Sequence, residues 1–375
     1  MTPGAESTVS LTRPEARPPS PSLKPLVSPA ALDESYPLDG VASDFIEDKR
    51  REISDALAGL DDRLVVVVGP CSVHDPVAAL DYASRLAQVA WTHADELLVV
   101  MRVYLEKPRT VVGWKGLIND PGMDQSFDIN LGLRTARDLL LEVGRLGLPA
   151  AAEFLDTMLG PFYCDLVSWG VIGARTVESQ VHRELVSGLP MPVGFKNRSD
   201  GDVTVAVDAI RAARSPHWFP TIARCGTPVV MGTSGNENTH VVLRGGTRGP
   251  NFSEADVHGA VDLLRRHGLR PHVMVDCSHA NSGKDPARQL AVARSIAERI
   301  GAGDRTVTGV MIESNLRSGA QKISSRPLAY GQSVTDACLS WVDTRPMLDE
   351  LATAVRARRK IAGVGPSNSG APVLC

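Results

Sequence analysis

No run of about 18 consecutive apolar residues occurs in this 375-residue chain, so no membrane-spanning helix is expected. The opening residues, MTPGAESTVS, lack the apolar core of a secretory signal, and a cytoplasmic protein is the expectation. The six cysteines (Cys71, Cys164, Cys225, Cys277, Cys338 and Cys375) are scattered, with no CxxC pair. That pattern excludes a disulfide-stapled scaffold and predicts reduced thiols. Neither sign of charge dominates: a net charge of −3 and a pI near 6.3 argue against a general nucleic-acid binder. A Walker loop, an HExxH helix and a GxSxG elbow are all missing. Gly232-Thr-Ser-Gly235 and Gly245-Gly-Thr-Arg-Gly249 are glycine-rich, but neither has dinucleotide-binding spacing, and both read as turns. No tandem repeat is present.

Apolar residues at 43% and charged residues at 22% allow a large core in a soluble, globular chain. Residues 1–45 read as a proline-rich arm, extended or partly disordered, with regulatory or oligomer contacts as its use. Residues 46–360 read as one folded body, and 361–375 as a loose polar tail. Within the body, short apolar, β-branched-rich runs recur: Leu64–Val68, Leu97–Val103, Ala150–Leu155, Val171–Gly173, Pro192–Phe195, Val241–Leu243 with His240 leading, His272–Val275 and Thr308–Ile312. Helical periodicity fills several gaps. Leu131–Leu146 carries one apolar face and stops at Gly147. A second helix is expected to start from Asp285 and Pro286, and a third from Ser253-Glu-Ala-Asp256. Eight strands alternating with helices predict an α/β fold, a (β/α)8 TIM barrel with an N-terminal extension. A doubly wound sheet is the alternative, and Val229–Gly232 is an extra candidate strand.

Polar residues cluster at or just beyond the C-terminal ends of these strands, the rim where barrel active sites form. One set is cationic: Arg102, Lys107, Lys115, Arg175, Lys196 and Arg244. Converging in an acidic chain, they imply a strongly anionic ligand bearing phosphate and carboxylate. Taken singly, each reads equally well as a solvated surface charge. The other set is Cys71, His279, Glu313 and Asp336, a thiol, an imidazole and two carboxylates suited to Mn, Fe, Co or Zn. The plain readings are a buried hydrophobe for Cys71 and a turn residue for Asp336, and His74 is a rival ligand.

The motifs GPCSVHDP (69–76), RVYLEKPRTVVGWKGLINDP (102–121), AEFLD (152–156), WGVIGARTVESQVHREL (169–185), PVGFKNRSDG (192–201), HVVLRGG (240–246), MVDCSHANSGKD (274–285), GVMIESNL (309–316) and YGQSVTDACLSW (330–341) stand in order. Over residues 60 to 345 the chain resembles the class I 3-deoxy-D-arabino-heptulosonate 7-phosphate (DAHP) synthases, also called phospho-2-dehydro-3-deoxyheptonate aldolases. The resemblance implies a barrel transferase of aromatic amino-acid biosynthesis. It would condense phosphoenolpyruvate with erythrose 4-phosphate, the first step of the shikimate pathway. It further implies one divalent transition-metal ion on Cys71, His279, Glu313 and Asp336. Phosphoenolpyruvate contacts would fall on Arg102, Lys107, Lys115, Glu153, Ala174, Arg175, Lys196 and Arg244. The aldose phosphate would meet Pro108, Arg109 and Thr110. Lys107, Glu153, His279 and Cys71 are the expected catalytic groups. An aromatic amino-acid effector would lie near Asp156, Leu185, Leu189, Phe219, Thr221 and Met231, and a homodimer or homotetramer is expected. The proline-rich stretch Arg13–Ser20 departs from the family pattern. Rival readings are a Schiff-base aldolase using Lys196, a synthase for a five-carbon aldose phosphate, and an inert binding barrel.

Overall fold

The computed structural model describes residues 23–363. Eight strands form a closed parallel barrel: β1 (Leu64–Gly69), β2 (Leu97–Arg102), β3 (Ala150–Glu153), β4 (Trp169–Ile172), β5 (Val193–Lys196), β8 (Thr239–Leu243), β9 (Val273–Asp276) and β10 (Val307–Asn315). β1 pairs with both β2 and β10, which closes the ring. The strands come from the eight apolar runs, and β-branched residues suit their buried, pleated surface.

Outside the ring lie α3 (Pro76–Thr92), α4 (Ile129–Arg145), α5 (Gln180–Ser187), α6 (Thr204–Ala213), α7 (Glu254–Arg266), α8 (Arg288–Gly301) and α9 (Trp341–Ala362). A short strand β11 (Leu339–Ser340) extends the end of β10. Between β3 and β4 only 3-10 turns occur among the described residues, at Gly160–Phe162 and Cys164–Leu166.

Inside the barrel, side chains alternate with the strand period of two. Val65, Val67, Leu98, Val100, Ala151, Trp169, Val171, Val242, Met274 and Met311 form one buried cluster. Ile53, Ala56 and Leu57 of α2 (Gly40–Leu57) join it, so this helix plugs the N-terminal mouth. Two residues further along the strands, the same inward register falls on Arg102, Glu153, Lys196, Arg244, Asp276 and Glu313. The apolar filling therefore gives way to charge at the C-terminal rim.

Four expectations change in detail. Residues 29–45 are helical in part: α1 (Pro29–Ser35) starts with Ser28 as its cap, and α2 follows. Proline at the first helical position has no amide hydrogen to lose there, so it starts a helix instead of preventing one. Residues 1–22, with Arg13–Ser20, lie outside the described residues, as do 364–375 with Cys375; α9 runs to Ala362, into the expected tail. The helix expected from Asp285 begins at Arg288, because the Asp285 carboxylate accepts from Ala287 N at 3.0 Å and closes a separate turn. Val229–Gly232 belongs to a strand, β7 (Pro228–Gly232), but it pairs antiparallel with β6 (Trp218–Ile222) outside the barrel. The Ser253 cap stands as expected, with Asp256 completing a capping box.

Candidate active site

The cleft at the C-terminal rim measures about 690 Å3 and is open to solvent. Of the expected substrate residues, Arg102, Lys107, Pro108, Glu153, Ala174, Arg175, Lys196 and Arg244 line it. His279, Glu313 and Asp336 line it as well. Lys115 is exposed and outside the lining; its carbonyl accepts from Lys107 N at 2.8 Å, closing the loop between them. Arg109 and Thr110 are also exposed, and Arg109 Nε donates to Trp114 O at 2.8 Å.

Cys71, Glu313 and Asp336 each offer a donor atom within 4.8 Å of the other two. His279 Nε2 stands 3.8 Å from Glu313 Oε1. His74 is buried but is not part of this donor group. The four elements that meet here are tied together. Ser72 Oγ lies 2.7 Å from Thr335 Oγ1, bringing the loop of Asp336 to that of Cys71. Gln289, buried on α8, grips both backbone groups of Glu313, donating to its O at 3.0 Å and accepting from its N at 2.9 Å. Asp276, fully buried, accepts from Lys196 Nζ at 2.8 Å and lies 3.0 Å from His279 Nδ1. A carboxylate behind a histidine fixes its ring and turns Nε2 outward, as metal-bound histidines require.

A sulfur, an imidazole and two carboxylates suit a divalent transition metal. The Lys107 ammonium already touches Cys71 Sγ at 2.7 Å and Asp336 Oδ2 at 3.2 Å, so the donor set gathers positive charge. The residues fit such an ion.

Electrostatics differ sharply across the site. Burial, reinforced by Glu313, pushes the Cys71 thiol up to about 11. Burial opposes charge on Lys107, but Cys71, Glu313 and Asp336 outweigh it and hold the ammonium above the usual lysine range. Burial also opposes the charge of Asp336, yet Lys107 and His279 hold its carboxyl below the usual range. Arg102 is fully buried, bonds Glu313 Oε1 at 3.1 Å and stacks 3.8 Å over the Tyr104 ring. Arg175 and Arg244, in contrast, have no carboxylate partner among the described residues. Burial lowers the pKa of Arg244. Unpaired guanidinium groups facing a cleft form a site for phosphate or carboxylate.

The sequence reasoning left out several lining residues: Tyr104, Thr176, Ser199 and Lys284. Lys284 belongs to the MVDCSHANSGKD motif (274–285), whose sequence alone gives it no role. Asp276 was visible as a strand-end acid, but its two partners are set by the fold.

The expected effector residues fall on neighbouring elements. Leu185 and Leu189 are buried at and after the end of α5, and Phe219 pairs with Met231 across the β6–β7 hairpin. Ser187 Oγ meets Thr233 Oγ1 at 2.6 Å, joining α5 to the hairpin. Thr221 is half-buried on β6. Asp156 is exposed in the loop after β3, where the neighbouring Leu155 carbonyl meets His182 of α5 at 2.8 Å.

The chain is similar to known proteins along most of its length. The sequence model of the DAHP synthetase I family matches residues 43–349. A Phe-sensitive phospho-2-dehydro-3-deoxyheptonate aldolase of Escherichia coli K12 is 52% identical over 338 residues, 90% of this chain and 96% of that one. A tyrosine-inhibited relative from Schizosaccharomyces pombe is 50% identical over 341 residues, 90% of this chain and 92% of its own. The solved phospho-2-dehydro-3-deoxyheptonate aldolase of Francisella tularensis SCHU S4 superposes with a TM-score of 0.89 at 48% identity, covering 90% of this chain and 99% of that one. By sequence, fold and cleft, the chain belongs to the DAHP synthetase I family.

Proposed function

We propose that this enzyme condenses phosphoenolpyruvate with D-erythrose 4-phosphate and water, releasing DAHP and phosphate. The observation that carries the reading is the juxtaposition, in one cleft, of unpaired Arg175 and Arg244 with the Cys71–Glu313–Asp336 donor group. The arginines, with Lys196, bind the phosphate of phosphoenolpyruvate, and Arg102 with Lys107 faces its carboxylate. Held in this way, carbon 3 is presented to the aldehyde without the entropy loss of a free encounter. Cys71, His279, Glu313 and Asp336 hold a divalent metal, manganese among the candidates, which supplies Lewis-acid polarisation when bound. Lys107 Nζ, His279 and Glu153 are the groups placed to hold or move protons as carbon 3 attacks and water adds at carbon 2. Phosphate then leaves by C–O cleavage. Pro108, Arg109 and Thr110 are assigned to the aldose phosphate, with Arg109 turning inward from Trp114 to reach it.

The Schiff-base alternative is disfavoured by Lys196 itself. Its ammonium is ion-paired with fully buried Asp276, and losing the proton leaves that carboxylate without its partner. An aromatic amino acid is proposed to inhibit the enzyme from the α5–hairpin junction, in keeping with the names of the Phe-sensitive and tyrosine-inhibited relatives. Residues 46–360 are assigned to the catalytic barrel and 1–45 to regulatory and oligomer contacts. A homodimer or homotetramer would cover exposed apolar residues of the hairpin, Trp218 and Val230 among them. The test is phosphoenolpyruvate consumption with each aldose phosphate. Loss that needs erythrose 4-phosphate and releases equimolar phosphate supports the reading; loss only with arabinose 5-phosphate moves the enzyme to the five-carbon class.

A further inference from the structure

Resting on that reading, we infer that Lys284 is a specificity-determining residue that contacts the phosphate of the aldose substrate. Lys284 lies in the loop after β9, five residues beyond His279. Its backbone is left-handed, with φ 64°, beside Gly283 at 61° and His279 at 56°. A long side chain rarely adopts that conformation, and such strain persists where the surroundings hold it. Here Lys284 N donates to His279 O at 2.7 Å, which fixes the turn to the metal-donor loop.

Lys284 lines the main cleft together with Arg175, Ser199 and Arg244. It also lines the adjoining hollow that contains His279, Asp336 and Ala337. Its position spans the space between the phosphate-binding wall and the metal donors. Among the described residues no carboxylate pairs with its ammonium, and the residue is exposed. The deeper cations are committed: Arg102 to Glu313 and Lys196 to Asp276. Arg109 is turned toward Trp114 O, outside the lining. An aldehyde placed at the donor group extends its far end toward the rim, where Lys284 is an unpaired cation. An ammonium on a flexible stem suits a phosphate that arrives second and whose position shifts during the reaction.

The test compares wild-type, Lys284→Gly and Lys284→Arg as full-length, metal-loaded enzymes, with both substrates varied. Glycine adopts φ 64° without strain, so the variant removes the ammonium without threatening the turn. The inference predicts that Lys284→Gly raises the KM for erythrose 4-phosphate about tenfold, the scale of one charge-assisted hydrogen bond. The KM for phosphoenolpyruvate stays unchanged, and Lys284→Arg recovers most of the loss. An unchanged erythrose 4-phosphate KM, or a rise confined to phosphoenolpyruvate, overturns it. A wild-type enzyme inert toward erythrose 4-phosphate overturns the condensation reading itself, and the wild-type arm shows that separately.

Discussion

Cys71 and Asp336 belong to loops 265 positions apart in sequence, yet Sγ and Oδ2 lie 3.5 Å from each other. Removing the sulfur leaves Lys107 with one fewer partner and takes one atom from the donor group proposed to hold the metal. Cys71→Ala is expected to lose bound metal and to cut turnover by about a hundredfold or more. Metal content and phosphoenolpyruvate consumption on the same sample check this; a metal-free variant with wild-type activity contradicts the ligand assignment. Glu106 gives a prediction about stability. Buried beside Tyr163 and the backbone of Asp156, its carboxyl is pushed up to about 8, first by desolvation and then by the charge of Asp156. The folded state therefore keeps a proton that the unfolded chain has already released. Stability that is full below the unfolded value falls as pH rises toward 8. Glu106→Gln removes this slope, so melting curves of the two proteins should diverge in favour of the variant from pH 5 to 8. Parallel curves would contradict the buried proton. At this scale the charged rim was legible, because Arg102, Glu153, Lys196 and Glu313 each stand at or near the C-terminal end of an apolar run. The grip of Gln289 on Glu313 was not, since 24 positions separate them and only the packing of α8 brings them together.

At the level of elements, α4 carries the loop that follows β2. Gly132 in its first turns lies so close that an added Cβ would stand 2.1 Å from Ile118 O. No side chain shift relieves contact with a backbone carbonyl. Gly132→Ala is expected to lower stability by about 1–3 kcal/mol, the usual cost of overpacking. Because the displaced segment continues into Gly116, Lys115 and the Lys107–Thr110 stretch, the KM for erythrose 4-phosphate should rise as well. Denaturant titration and steady-state kinetics read the two effects; a stable variant with unchanged kinetics would show that the loop is not clamped by α4. The barrel strands were readable because buried parallel strands are continuous apolar runs. The β6–β7 hairpin was only half read: Val229–Gly232 looked like a strand, but Trp218–Ile222 mixes an exposed tryptophan and a proline with its apolar residues. The start of α1 is hidden in the proline-rich arm, because Pro29 sits at the one helical position that tolerates proline.

Across the whole molecule, the barrel is divided along its axis. One end is closed by α2 on an apolar cluster, and the other opens on charge. Six cations (Arg102, Lys107, Arg175, Lys196, Arg244 and Lys284) face three carboxylates (Glu153, Glu313 and Asp336) in the cleft lining of a chain whose net charge is −3. This local excess of positive charge, walled by a packed protein, raises the local concentration of doubly anionic substrates. No helix among the described residues is long and apolar enough to cross a membrane. The cationic wall and the metal donors are proposed to serve one reaction. Phosphoenolpyruvate consumption should therefore be followed with erythrose 4-phosphate before EDTA treatment, after it, and after Mn2+ is restored. Aldose-dependent consumption that stops with the metal removed and returns with Mn2+ is expected. Full turnover in protein verified to be metal-free would contradict it.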